Sequence, residues 1–294
     1  MMTRVVWGEE DGFSYDVLRL PDGRATRLKG RSIVGLLPLC ATPGVEPWLR
    51  ERIPRPNALL RERIHQMPEL LRFIHRPGPG HFGVAERGSI ALFTPARLRR
   101  VLAKMLDEEE FLSPYGIRSL SKFHERNPYV VYVNGQASRV DYLPAASNTG
   151  LFGGNSNWRG PLWFPVHALV MRARRQCSLD YGDDIHVACP TGSGKRLNLF
   201  EVAREVADRL TRIFLREERG RRPVYGGTTK FPNDPHWRNY LLFYEYLHGD
   251  NGAGLGARHQ TGWTGVVGGL IHLFGVLAPR RVLEVGQLAA FASK

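Results

Sequence analysis

The chain has 294 residues, 43% of them hydrophobic, which is enough for a substantial core in one large domain or two. Its formal net charge of +13 comes from an excess of arginine, thirty-five Arg against six Lys, dispersed along the chain rather than gathered into one stripe. That dispersal argues against a phosphate-binding surface, and no nucleic-acid partner is expected. Cys40, Cys177 and Cys189 are far apart with no Cys-x-x-Cys, so neither a disulfide framework nor a structural zinc is expected, and the chain reads as cytosolic. No secretory signal pattern is present, and the longest apolar run, Val266 to Ala278, is too short to span a bilayer; no membrane partner is expected.

In chain order, Trp7 to Leu20 alternates Phe13, Tyr15 and Val17 with more polar neighbours, and Pro21-Asp22-Gly23 followed by Arg24 to Leu28 predicts a hairpin. Arg31 to Cys40 predicts an apolar helix, and Ala58 to His75 a weaker one interrupted by Pro68; Arg76 to Gly88, rich in Pro and Gly, predicts a loop. Thr94-Pro95 caps a helix with Leu98, Val101, Leu102 and Met105 on one face, and Ser113-Pro114 starts another carrying Ile117, Leu120 and Phe123. Asn134-Gly135, between Tyr129 to Val133 and Gln136 to Tyr142, is a strong hairpin signal.

From Pro161 the pattern is helical and apolar around most of its circumference. Asn198 with Glu201 resembles a capping box for a long helix to Glu217, with Leu199, Val202, Ala203, Val206, Leu210, Ile213 and Phe214 in one stripe. Glu205 with Arg209, and Asp208 with Arg212, fall at i, i+4 spacing on its wet face. Asp234 as N-cap, Pro235 at the first helical position and Gly249 at the far end predict a helix from His236 to Leu247. The alternation of all-apolar and amphipathic helices predicts an all-α body of inner helices wrapped by outer ones, decorated by short β-hairpins.

Glu245 sits among Trp237, Tyr240, Leu241, Leu242, Phe243, Tyr244, Tyr246 and Leu247. A carboxylate there must be hydrogen-bonded, paired or facing a wet cavity, because burying it bare costs several kcal/mol. It is either a satisfied core glutamate or a general acid or base. The loop that follows, with Gly249, Gly252, Gly254 and Gly256, lets backbone approach a ligand, and Gln260 and Trp263 add polar and aromatic contact. A second constellation is Gly153 to Pro165, where Asn157, Trp158, Arg159 and Trp163 combine aromatic faces with amide and guanidinium donors. That mixture suits a sugar; the other reading is a structural loop with tryptophans in the core.

Other chemistries fail on their residues. Cys189 to Arg196 looks like a phosphate-binding loop, but Cys189 replaces its first glycine and Arg196 its magnesium-binding hydroxyl, so it reads as a loop entering the next helix. The ten histidines show no His-x-His and no His-Glu-x-x-His, and there is no Gly-x-Ser-x-Gly; no metal and no cofactor are expected.

Asn157-Trp158-Arg159-Gly160-Pro161-Leu162-Trp163, with Tyr244-Glu245-Tyr246 and Gln260-Thr261-Gly262-Trp263, resembles glycoside hydrolase family 63, the glucosidase and mannosylglycerate hydrolase group, and more distantly the trehalases. The resemblance covers nearly the whole chain and implies an (α/α)6 toroid, inverting hydrolysis of an α-glycosidic bond, and an oligosaccharide or glycoside as partner. By its match Glu245 would be the general base, and Asn157, Trp158, Arg159, Trp163, Gln260 and Trp263 would line the sugar subsite. The family's general acid lies upstream of a stretch that here begins at Trp7 with Gly8 in place of the usual Asp. The resemblance therefore implies that residues 1–294 are the C-terminal part of a single domain, an incomplete toroid that does not hydrolyse glycosides alone and takes the missing N-terminal part as a partner. A non-catalytic carbohydrate-binding module or a truncated pseudoenzyme is the alternative.

Overall fold

A computed structural model describes residues 6–41, 44–45, 47–52, 54–69, 88–89, 91–133, 135–150, 157–181, 185–218 and 220–276. The strands are β1 (Trp7–Gly8), β2 (Phe13–Ser14), β3 (Asp16–Arg19), β4 (Ala25–Leu28), β5 (Gly44–Val45), β6 (Gly88–Ser89), β7 (Leu112–Ser113), β8 (Gly116–Ile117), β9 (Tyr129–Val133), β10 (Gln136–Val140), β11 (His186–Ala188), β12 (Arg196–Asn198), β13 (Tyr246–Leu247) and β14 (Gly254–Leu255). The α-helices are α1 (Pro47–Arg52), α2 (Pro54–Gln66), α3 (Pro95–Met105), α4 (Phe123–Arg126), α5 (Phe164–Tyr181), α6 (Leu199–Arg212), α7 (Lys230–Asn233) and α8 (Val267–Val276), with 3-10 turns at Ile33–Cys40 and Pro223–Tyr225.

This is a mixed α and β architecture, 37% helical and 18% strand, and it overturns the expectation of an all-α (α/α)6 toroid. Among the described residues the strands form seven separate two-stranded antiparallel sheets, each a pair of short segments joined by backbone hydrogen bonds. Helices α5, α6 and α8 pack on one another or on the Ile33–Cys40 turn, and Trp7, Phe13, Leu112, Ile117, Val187 and Leu247 bring β1, β2, β7, β8, β11 and β13 into the same core, while the β3–β4 and β9–β10 hairpins are largely exposed. Phe13, Leu36, Leu102, Phe111, Leu162 and Phe164 are wholly buried in that core, each worth about 1.5–3 kcal/mol of apolar transfer.

Local signals that the chain could satisfy by itself hold. Thr94 accepts from the Arg97 N–H at the start of α3, whose Leu98, Val101, Leu102 and Met105 are all buried. The capping box of α6 is complete: Asn198 Oδ1 accepts from the Glu201 N–H at 2.9 Å and Glu201 Oε2 from the Asn198 N–H at 2.9 Å. The predicted hairpins form at β3–β4 and β9–β10. The Arg31 to Cys40 segment folds as 3-10 turns with Pro38 inside them, and residues 76–87 of the predicted loop lie outside the described residues.

Two predicted helices are absent, and each lost to strand pairing. At Ser113-Pro114 the side chain of Ser113 accepts from the Tyr115 N–H at 3.1 Å, closing the tight turn of the β7–β8 hairpin instead of capping a helix. At Asp234 the cap does form, its Oδ1 accepting from the His236 and Trp237 N–H groups at 2.8 and 3.2 Å, but it holds a single turn. Beyond Tyr240 the chain extends because its amides find distant partners: Tyr246 and Leu247 pair with Leu255 and Gly254, and Glu245 donates its N–H to Ala257 O at 2.8 Å. The loop from Gly192 to Gly194 turns β11 into β12 rather than entering a helix directly.

Candidate functional site

The Asn157–Trp163 segment and β13 meet as backbone before they meet as side chains. Leu162 donates its N–H to Leu247 O at 2.8 Å and Leu247 returns one to Leu162 O at 3.1 Å, so this segment lies alongside β13 as a third, bridge-length strand. The register sets Trp163 on Tyr246, rings 4.8 Å apart and 22° from parallel. Trp158 stacks on Trp163 at 4.1 Å and 3°, and Trp263 meets Trp163 edge-on at 6.4 Å. The result is an aromatic wall of four rings, with Trp163 in the middle and 2% exposed, Trp158 half-buried and Trp263 41% exposed.

Asn157 and Arg159 hold this wall from within. Asn157 is buried, its amide donating to Leu143 O and Ala145 O at 2.7 Å each, and its Oδ1 accepting from the Arg159 N–H at 3.0 Å. The Trp163 indole N–H donates to Asn157 O at 3.1 Å. Arg159 is 3% exposed and donates to Ser147 Oγ, and burial depresses its pKa. Both faces of Trp163 are covered by rings. Of the seven residues singled out in the sequence, Trp158, Glu245, Gln260 and Trp263 are the ones with surface to offer, while Asn157, Arg159 and Trp163 form the frame behind them.

Glu245 is half-buried at the N-terminal end of β13, and its Oε2 accepts from the Ala257 N–H at 3.2 Å. Its charge, after burial, raises the Tyr246 pKa. Gly256 makes this approach possible: at φ +71 a Cβ there would sit 2.6 Å from Glu245 Oε2 and 2.8 Å from Tyr246 Cε1, so only glycine fits. Gln260 anchors the next turn, donating its N–H to Phe243 O at 2.8 Å and receiving the Thr264 N–H at 2.8 Å, and its side-chain amide makes no hydrogen bond to a described residue. The Thr264 hydroxyl, wholly buried, donates to Tyr244 O.

The sequence reading missed Tyr246 as a stacking ring and a charged network behind the loop. Arg118 is 3% exposed and donates to Tyr142 Oη at 3.0 Å, to Asp250 Oδ1 at 2.9 Å and to Glu108 O at 3.1 Å. The Tyr142 hydroxyl donates to the same Asp250 oxygen at 2.9 Å, and burial drives its pKa far up. Asp250 follows Gly249, whose N–H donates to Pro144 O at 2.9 Å, so the network pins the loop that carries Ala257 to the segment that carries Asn157. A lone arginine inside the apolar run Tyr115 to Leu120 was the available signal. His167 adds a neutral anchor, its Nε2 accepting from the Ile117 N–H at 2.7 Å and its Nδ1 donating to Trp163 O at 2.7 Å.

No helix among the described residues is long and apolar enough to cross a membrane. No protein family model matches the chain. It is 45% identical over 278 residues, 94% of its length, to "Uncharacterized protein YMR196W" of Saccharomyces cerevisiae, and spans about 25% of that curated relative.

Proposed function

We propose that this chain contributes a sugar subsite with a catalytic carboxylate to a glycoside hydrolase-like protein, with Glu245 as the general base that activates water. The observation that carries the reading is the aromatic wall, whose two accessible tryptophans, Trp158 and Trp263, flank the rigid Trp163–Tyr246 stack next to Glu245. Aromatic faces stack on the C–H faces of a pyranose, while a carboxylate and an amide such as Gln260 address its hydroxyls. The motif resemblance to glycoside hydrolase family 63 supports the same assignment. Glu245 Oε2 accepts a backbone N–H from a glycine-hinged loop, which orients the carboxylate.

Inverting hydrolysis needs a second carboxyl about 6.5–9.5 Å across the sugar to protonate the leaving oxygen. We assign that acid, and the specific sugar and linkage, to the longer protein of which the yeast relative gives the scale. We place the protein in the cytosol, where the Cys40 thiol would remain reduced.

Calorimetric titration with maltose, trehalose and α-mannobiose tests the subsite. Trp158→Ala and Trp263→Ala should each weaken binding by about 1–3 kcal/mol with little change in melting temperature. Trp163→Ala should instead cost about 3–5 kcal/mol of folding stability, because a buried ring leaves a cavity. Affinity unchanged in both Trp158→Ala and Trp263→Ala would refute the subsite. Turnover that survives Glu245→Gln in a hydrolytically active longer protein would refute the base while leaving a carbohydrate-binding role.

A further inference from the structure

We infer that the cleft between α5 and α8 is a ligand site, and that it takes a small apolar carboxylate, a single ring or short alkyl chain bearing one carboxyl group. Helices α5 and α8 each pack on α6, and between them they leave a cavity of about 150 Å³. Phe200 and Ala203 of α6 form its floor, Ala168 and Met171 of α5 one wall, and Leu270 and Phe274 of α8 the other. Phe274 meets Phe200 edge-on at 5.7 Å, which holds α8 to the floor, while the short side chains of Ala168 and Ala203 leave the space beside it unfilled. Met171, Phe200, Ala203 and Leu270 are buried, so the space reaches into the core. Interiors are close-packed, and an unfilled volume forfeits contacts for every atom around it. Water does not restore them, because it needs two to four polar partners and these six side chains offer none. A dry apolar cavity of this size takes a molecule such as benzene, and it falls below the roughly 300–1,000 Å³ of drug-sized sites, which limits the apolar body to about one ring.

One charge decides the rest of the ligand. Among the described residues Arg172 is the only polar side chain of the lining; it is exposed, so it stands at the rim, and it has no ion pair among them. Its planar guanidinium presents two N–H groups in the geometry of a carboxylate. An apolar body in the cavity with a carboxylate at the rim therefore satisfies both the empty space and the unpaired cation. A neutral molecule of the same shape fills the space and leaves Arg172 to water, and an ammonium group meets it at like charge. The site is separate from the aromatic wall, since it shares no lining residue with Trp158, Trp163, Tyr246, Trp263 or Glu245.

The test uses the full chain labelled with ¹³C at its five methionine methyls, followed by NMR; Met171→Leu assigns the Met171 signal. Phenylacetate and hexanoate are the carboxylate probes, 2-phenylethanol and hexanol their neutral counterparts, and hexylamine the cation. The expected result is a saturable shift of the Met171 methyl with at least one carboxylate, at lower concentration than with its matched alcohol. Arg172→Gln, at an exposed position, should weaken carboxylate binding roughly two- to fivefold, the worth of one ion pair at a surface, and leave the alcohols unchanged. Ala168→Leu, at a half-buried position, should fill the cavity and abolish the shift with every probe while its melt shows a folded chain. No Met171 shift with any probe up to its solubility limit, as when another part of the chain fills the cavity, would overturn the site. So would a shift that survives Ala168→Leu in a folded chain. Alcohols or hexylamine binding as tightly as the carboxylates, or a carboxylate preference that survives Arg172→Gln, would overturn the ligand class. None of these outcomes bears on the Trp158–Glu245 subsite, whose readout is disaccharide affinity.

Discussion

Acid should loosen this protein through His167, and the size of the effect follows from two hydrogen bonds. The Ile117 N–H can only donate and Trp163 O can only accept, so the wholly buried imidazole must be neutral, protonated at Nδ1 and bare at Nε2. Adding a proton would set one donor against another in a water-free place. Burial accordingly lowers its pKa from 6.5 to about 4, with the hydrogen bond to Trp163 O opposing. A folded-state pKa below the unfolded one means that between pH 6.5 and 4 the unfolded chain binds more protons. The stability is therefore fully present above pH 6.5 and is lost as pH falls towards 4. The full loss is about 3 kcal/mol, of which about 2 kcal/mol has gone by pH 5.

Urea denaturation at pH 7 and pH 5, for the parent chain and His167→Met, isolates this contribution from the carboxylates. The variant loses both hydrogen bonds and is less stable at pH 7, but it has no imidazole to protonate. The stability gap between the two proteins should narrow by about 2 kcal/mol at pH 5. A constant gap, or an NMR titration placing the His167 ring near 6.5, would refute the argument. His124 should add in the same direction, since burial lowers its pKa too while its Nε2 accepts from the Arg31 N–H at 2.8 Å.

Two further outcomes follow from the site's frame. Arg118→Met should cost about 3 kcal/mol, read by thermal melting, because it strips donors from buried carbonyls and from Tyr142; Asp250, one-third exposed, can rehydrate and caps the loss. Stability within 0.5 kcal/mol of the parent, about the effect of an ordinary surface change, would show that the network does not hold the loop. Gly256→Ala should cost about 1–2 kcal/mol through its left-handed backbone and push the Glu245 carboxylate off the Ala257 N–H. A melt and an affinity for the disaccharide probes both equal to the parent's would contradict the close approach.

What was legible in the sequence was whatever the chain decides within a few residues. Asn198 and Glu201 satisfy each other's amides across one turn, and Thr94 with Pro95 starts a helix that needs nothing from elsewhere. The α6 stripe was read correctly, yet Arg209, placed on its wet face by spacing alone, is 6% exposed. Besides its expected partner Glu205 at 2.9 Å, it donates to Ser113 O at 2.8 Å. The long methylene stem makes such burial possible, and spacing carries no information about the carbonyl that rewards it.

The errors share one cause. Residues 236–247 carry a good cap and no β-breaking proline, so local preference favoured a helix; the amides of Tyr246 and Leu247 nevertheless pair with residues eight or so positions later and with Leu162 far upstream. Strands two residues long leave almost no periodic trace, and the four pairs of that length among the described residues help convert a chain that reads as helical into a mixed fold. The same non-local pairing gathered the candidate site. Trp163, Tyr246 and Trp263 are separated by up to a hundred residues; the Leu162–Leu247 bridge stacks Trp163 on Tyr246, and Trp263 meets Trp163 edge-on. Residue type therefore singled out aromatic and polar side chains that the fold does gather, while the bridge determined that Trp163 would be buried in the wall and Trp158 and Trp263 left with accessible surface.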